Sequence, residues 1–141
     1  VLTTVEKVIF LQDIDIFEHT STEDLSQIAL ITEELDLGPE EVLFQEGDVS
    51  DAMYFVVDGS VKLMRNKGDV AVAGRGEVLG NWALFDDQPR VVSAITQESS
   101  HLLIIHKDMF IDLLADNVRI SQSIMKTLVK RLRNLMTRAA I

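Results

Sequence analysis

Ala52-Met53-Tyr54-Phe55-Val56-Val57-Asp58-Gly59-Ser60-Val61-Lys62-Leu63-Met64 is the stretch on which the fold turns. Residues 52–57 are rich in aromatic and β-branched side chains, the types that suit a pleated surface. Asp58-Gly59 has the composition of a hairpin turn. Val61-Lys62-Leu63-Met64 then alternates apolar and basic, the period of a half-buried strand. The same grammar extends in both directions. Glu41-Val42-Leu43-Phe44 reads as a strand and Glu46-Gly47-Asp48 as a turn, with a further turn at Asn66-Lys67-Gly68-Asp69. Val70-Ala71-Val72, Val91 to Ile95 and Leu102 to Ile105 complete the set. Many short strands separated by glycine turns predict a sandwich, jelly roll or barrel.

The period changes at both ends. Thr4 to Leu11 reads as a short amphipathic helix with Val5, Val8 and Ile9 or Phe10 inward. Ser21 with Asp24 three residues on has the spacing of a helix N-cap, and Leu25, Ile28, Ala29 and Thr32 follow at helical period, so this helix is expected to end near Glu34. After Lys107, the residues Met109, Phe110, Leu113 and Leu114 form a helical face, interrupted at Asp116 or Asn117. A last helix is expected from about Arg119 to Arg138, with a seam of Ile120, Ile124, Leu128, Leu132 and Leu135 or Met136. The expected fold class is thus mainly β with flanking helices: N-terminal helices over 1–34, an antiparallel β-roll or jelly roll over 35–106, and two C-terminal helices over 107–141.

Composition narrows the function. The 141 residues suit one domain, and 47% of them are hydrophobic. No apolar run is long enough to span a bilayer, and the first residues, with Glu6 and Lys7, do not read as a signal peptide. A cytoplasmic domain is expected, including as the soluble part of a membrane-associated parent. Cysteine is absent, which excludes disulfides, thiolate metal sites and cysteine nucleophiles. The net charge of −10 divides into +6 beyond Asp116 and −16 up to and including it. The acidic body argues against nucleic acid as a partner of this domain.

One further stretch carries chemistry: Gly80-Asn81-Trp82-Ala83-Leu84-Phe85-Asp86-Asp87-Gln88-Pro89-Arg90, followed by the apolar Val91-Val92. A glycine and small residues let a backbone come close to a ligand. A turn of backbone N–H groups makes an anion nest. The arginine guanidinium offers a planar fork that matches phosphate oxygens. Three histidines, His19, His101 and His106, show no metal-ligand spacing, and no Ser-His-Asp set is legible. No enzyme activity, metal or cofactor is therefore expected.

These motifs resemble the cyclic nucleotide-binding domain family, whose members include catabolite activator proteins, kinase regulatory subunits and nucleotide-gated channels. Its phosphate-binding cassette is matched at 80–92 by Gly80, Ala83, Leu84, Pro89 and Arg90. Val42-Leu43-Phe44, Glu46-Gly47-Asp48 and the run Met53 to Val61 match earlier hallmarks, and Asp108, Phe110 and Leu113-Leu114 resemble the closing helix. The resemblance implies a sensor that binds cyclic AMP or cyclic GMP through Gly80, Asn81, Trp82, Ala83, Arg90 and Val91, and relays binding by movement of the C-terminal helix. It also implies attachment to other domains of a longer parent, and the opening residues 3–11 resemble the lead-in to such domains at the end of larger bacterial proteins.

The departures bear on affinity. Asn81 stands where the family has a glutamate that accepts a bond from the ribose hydroxyl, Leu79 where it has phenylalanine, and Trp82 where it has an aliphatic residue. Val91 and Val92 replace small residues and narrow that end of the pocket. Two alternatives stay open beside cyclic-nucleotide sensing. One is a degenerate module that binds no standard cyclic nucleotide and serves in dimerisation or docking, with the last helix forming a homodimer. The other is a DNA-binding regulator, whose helix-turn-helix would have to lie in the parent.

Overall fold

In the computed structural model residues 52–64 become two strands that part company. The structure describes residues 1–80 and 85–139. Among the described residues eight strands form two four-stranded antiparallel sheets. One sheet has the order β1-β8-β3-β6, formed by β1 (Thr32–Leu37), β8 (Ser100–His106), β3 (Ala52–Asp58) and β6 (Val78–Leu79). The other has the order β2-β7-β4-β5, formed by β2 (Val42–Phe44), β7 (Ser93–Thr96), β4 (Val61–Arg65) and β5 (Gly68–Ala73). This is the antiparallel β-roll with flanking helices that the sequence predicted.

Asp58-Gly59 does not make the expected hairpin. β3 and β4 lie in different sheets, so the turn carries the chain from one to the other. Gly59 has a φ of +100°, and a β-carbon there would stand 2.3 Å from Ser100 Oγ. Glycine is required twice over, by backbone conformation and by close approach. The true two-residue hairpin is Asn66-Lys67, which joins β4 to β5 with both residues at positive φ (51° and 64°).

Tyr54 and Val56 of β3 meet Phe44, Val61, Ala73, Leu79, Ala94 and Leu102 in the core of the roll. Met53 and Phe55, on the opposite face of the strand, are fully buried too. A strand buried on both faces reads as a continuous apolar run rather than an alternation.

The chain divides into two units. One is Ile31–Ile111 with Val1, which holds the roll; the other is Leu2–Leu30 with Asp112–Ile141. In the second, α1 (Thr4–Leu11) packs on α2 (Thr22–Leu30), and α4 (Val118–Ala139) packs on a 3-10 turn at Asp15–Phe17. Thr3 opens α1 with a capping box: its hydroxyl accepts from Glu6 N, and its own N–H donates to Glu6. Ser21 caps α2 as read, accepting from Asp24 N at 3.1 Å. Asp24 is itself buried and accepts from Arg119 (3.0 Å) and from the amide of Asn117 (3.2 Å), while Asn117 Oδ1 caps α4.

Three details differ from expectation. α2 ends at Leu30, not near Glu34, because the β-branched Thr32 begins strand β1, paired residue for residue with β8. The chosen inward positions of α1 are partly wrong: Val8 and Leu11 are buried, while Val5 and Ile9 are exposed. The seam expected along α4 is buried only at Ile120 and Ile124, whereas Leu132, Leu135 and Met136 are exposed. α3 (Lys107–Asp116) and α4 break at Asn117, one of the two positions read, while Asp116 closes α3.

Candidate functional site

Arg90 is the residue around which the site is built. The expected strand Val91 to Ile95 begins only at Ser93, because the backbone of Arg90 is held elsewhere. Its N–H donates to Asp48 O (2.8 Å), and its carbonyl accepts from Gly47 N (2.9 Å). The turn Glu46-Gly47-Asp48 thus fixes Arg90. That turn is braced in its own right: Asp48 accepts from Gln45 N, and Glu46 accepts from Asn66 N.

The Arg90 side chain points inward and is 6% exposed. Its guanidinium lies over the ring of Phe44, 4.2 Å from the centroid, with Tyr54 5.9 Å away. Such stacking stabilises a cation that has left water. Nη2 donates to Ala52 O at 2.7 Å and lies 3.9 Å from Asp51. Nε and Nη1 are buried and have no hydrogen-bond partner among the described residues. Burial lowers the pKa of the guanidinium from its usual value, opposed by Tyr54, Asp51 and Asp48. Burial likewise raises that of the Tyr54 phenol. An arginine nonetheless stays charged, so two N–H-bearing nitrogens of a buried cation have no acceptor among the described residues.

Gly80 closes on that cation. Its φ is +75°, and a β-carbon would fall 2.2 Å from Arg90 Nη1. Beside both residues lies a cavity of about 440 Å³. Phe44, Leu63, Val78, Leu79, Pro89, Val91 and Val92 give it apolar walls, with Ser50, Asp86 and Gln88 as its other polar lining residues. Arg90 is the one cation among these. The structure therefore brings together Gly80, Arg90 and Val91. Asn81, Trp82 and Ala83 lie outside the described residues.

Sequence reasoning missed three parts of the site: the Phe44 platform, the Ala52 carbonyl and the clamp of the 47–48 turn. Phe44 and Ala52 precede Arg90 by dozens of residues in a pattern that reads as plain strand. Only the tertiary fold joins them.

Residues 85–87 are fastened to the start of α3. Phe85 meets the buried Phe110 edge-on, with ring centroids 6.4 Å apart. Lys107 Nζ donates to Asp86 O (3.0 Å) and to the Asp87 carboxylate (2.9 Å). Among the described residues no cluster of His, Asp or Glu could hold a metal ion, and no described helix is long and apolar enough to cross a membrane.

The family model for the cyclic nucleotide-binding domain matches residues 34–117. The chain is 29% identical over 116 residues to the CRP-like cAMP-activated global transcriptional regulator of Mycobacterium tuberculosis, covering 77% of this chain and 52% of that protein. It is 26% identical over 101 residues to a cAMP-dependent protein kinase regulatory subunit of Hypocrea atroviridis, covering 72% of this chain and 22% of that one. Among solved structures, the N-terminal domain of a transcriptional regulator from Streptomyces coelicolor A3(2) superposes with a TM-score of 0.83 at 27% identity, covering 89% of this chain and 94% of that one. The chain spans about half the length, or less, of the curated relatives it matches. With an antiparallel β-roll and a family match over residues 34–117, the chain belongs to the cyclic nucleotide-binding domain family. The two curated relatives named above are a transcriptional regulator and a kinase regulatory subunit.

Proposed function

We propose that this chain is the sensing domain of a regulatory protein and binds a cyclic nucleotide, cyclic AMP or cyclic GMP, at Arg90. The observation that carries this reading is a buried guanidinium with two nitrogens that find no acceptor among the described residues, beside a mostly apolar cavity. A ligand phosphate supplies the missing acceptors, and the N–H groups of Asn81 to Ala83, after the Gly80 turn, supply further donors. One lining cation, with Asp86 nearby, suits a single negative charge, as on a cyclic phosphodiester. The apolar walls then receive the nucleoside. Asn81 takes the ribose contact that a glutamate makes elsewhere in the family, and losing that charge costs about 1–3 kcal/mol, roughly ten- to a hundredfold in affinity. The domain acts by binding and not by catalysis.

Relay runs through the fastening of residues 85–87 to α3. Ligand that reshapes the cassette shifts Phe110 and Lys107, and the shift passes along α3 to α4 and to attached domains. The ligand can move that equilibrium only by its differential affinity for the two arrangements. Hydrogen exchange in α4 that is identical with and without bound nucleotide would sink the relay.

The second reading is a module that binds no standard cyclic nucleotide. It is favoured by the bond Arg90 already makes to Ala52 O and by its stacking on Phe44. Calorimetric titration of both nucleotides into the wild type, Arg90→Met and Asn81→Glu separates the two. Binding in the wild type that vanishes in Arg90→Met, with folding retained, establishes the sensor. Binding only in Asn81→Glu means an intact pocket disabled at the ribose. No binding in any of the three favours the second reading.

A further inference from the structure

α4 buries one face, at Ile120, Ser123, Ile124 and Thr127, and leaves a second apolar row open. Val118, Gln122, Met125, Val129, Leu132 and Met136 recur at alternating steps of four and three. That is the spacing of a helix that seats another helix. The five apolar members are 49–64% exposed. Over the 22 residues of α4 the row extends for about 30 Å, at 1.5 Å per residue.

One border of the row is cationic. Arg119, Lys126 and Arg133 each follow a seam residue and recur every seventh position, where flanking charges select the partner. A groove of about 830 Å³ runs along this border, lined in part by His19, Met125, Lys126, Val129 and Arg133. Arg119 is paired with Asp24, and Lys130, also at the groove, is paired with Glu18. Lys126 and Arg133 have no ion-pair partner among the described residues. α4 itself contains no carboxylate.

We propose that this seam docks an acidic amphipathic helix of a partner protein, with apolar side chains at heptad spacing and carboxylates along the edge that faces Lys126 and Arg133. Charge complementarity selects this occupant. A second copy of α4 presents the same cations and no carboxylate, so self-pairing leaves the border unmatched, whereas an acidic helix matches it. The proposal is independent of nucleotide binding.

The test uses the full chain and two synthetic helical peptides, both with leucine at the seam positions, one with glutamate and one with lysine on the flanks. Calorimetry should show the glutamate peptide binding and the lysine peptide not binding. K126E/R133E should weaken binding at least about tenfold, and rising salt should weaken it in the wild type. Leu132→Ser should also weaken it. Both variants change exposed side chains, and unaltered melting curves verify their folds. Sedimentation should show the chain alone as a monomer. A dimer dissociated by Leu132→Ser would overturn the proposal in favour of self-pairing. Equal binding by K126E/R133E, or no binding of the glutamate peptide, would overturn it as well. So would capture by anionic lipid vesicles without capture of the peptide, which would assign the face to a membrane surface.

Discussion

Gly80 and Arg90 are fitted to one another at atomic contact. A single added carbon at residue 80 would sit 2.2 Å from Nη1 of the buried guanidinium and 3.2 Å from Ala52 O, the acceptor that Nη2 uses. The positive φ of Gly80 adds a backbone penalty for any side chain. Gly80→Ala should therefore displace Arg90. We expect a loss of about 1–3 kcal/mol in stability together with loss of cyclic-nucleotide binding. Urea melts and calorimetry on the same samples check both, and retained affinity would show that Arg90 does not need this seat.

His101 is clasped by two carboxylates from β1. Nδ1 meets Asp36, its cross-strand partner, and Nε2 meets Glu34 at 2.9 Å. The hydrogen bond with Asp36 is the chief cause that raises the imidazole pKa above its usual value; burial opposes it, and Glu34 supports it. A folded-state pKa above the unfolded one stabilises at low pH. The contribution is complete below about pH 6.5, the unfolded value, and is lost as pH rises through the raised folded value. The difference in melting temperature between the wild type and His101→Gln should thus be largest near pH 6 and shrink toward pH 9. A difference that stays constant over that range would refute the clasp as a titrating element.

Asp24 joins α2 to α4 through Arg119 and Asn117 from inside the helical unit. Asp24→Ala leaves the Asn117 amide short of an acceptor and frees the start of α4. The expected cost is about 1–3 kcal/mol, as for other buried polar groups that lose a partner. Thermal unfolding measures it, and faster hydrogen exchange at the first turn of α4 should accompany it.

Lys67 adopts a left-handed backbone at φ 64° beside Asn66 at 51°. Lys67→Gly restores the Asn-Gly pair that such a hairpin prefers. The relief of about 1 kcal/mol or slightly more is partly offset by the added freedom of the unfolded chain, so a gain of a few tenths to about 1 kcal/mol is expected. A raised denaturant midpoint with unchanged slope is the signature.

The roll was legible in the sequence because its turns are chemically explicit. Gly47, Gly59 and Gly68 punctuate runs whose alternation or continuous apolarity fits only strands. The helix break at Asn117 and the cap at Ser21 were equally plain, since both are local hydrogen-bonding events. What failed was the assignment of partners. Asp58-Gly59 looks the same whether the next strand returns to the same sheet or crosses to the other, and the close approach to Ser100 that decides it lies far along the chain. Thr32 continues a helical period and also begins an alternation, and pairing with Ile105 settled the matter. In the site, Gly80 and Arg90 could be named from residue chemistry. Phe44, Ala52 and the 47–48 clamp could not, because nothing local to them marks an arginine's seat.

The position of β8 also sets the order in which the molecule comes into being. β8 pairs with β1 on one side and with β3, the strand that bears the Ala52 carbonyl, on the other. Its residues are the last of the roll to leave a ribosome. Until they do, β1 and β3 have no common neighbour, and nothing completes the sheet that carries Arg90's acceptor. Such distant pairings must bear the entropy of closing a long loop before they return any contact energy, which makes assembly slow and cooperative. A nascent chain halted before Ser100 accordingly lacks the central neighbour of β3, and the seat of Arg90 is completed in one step with the roll.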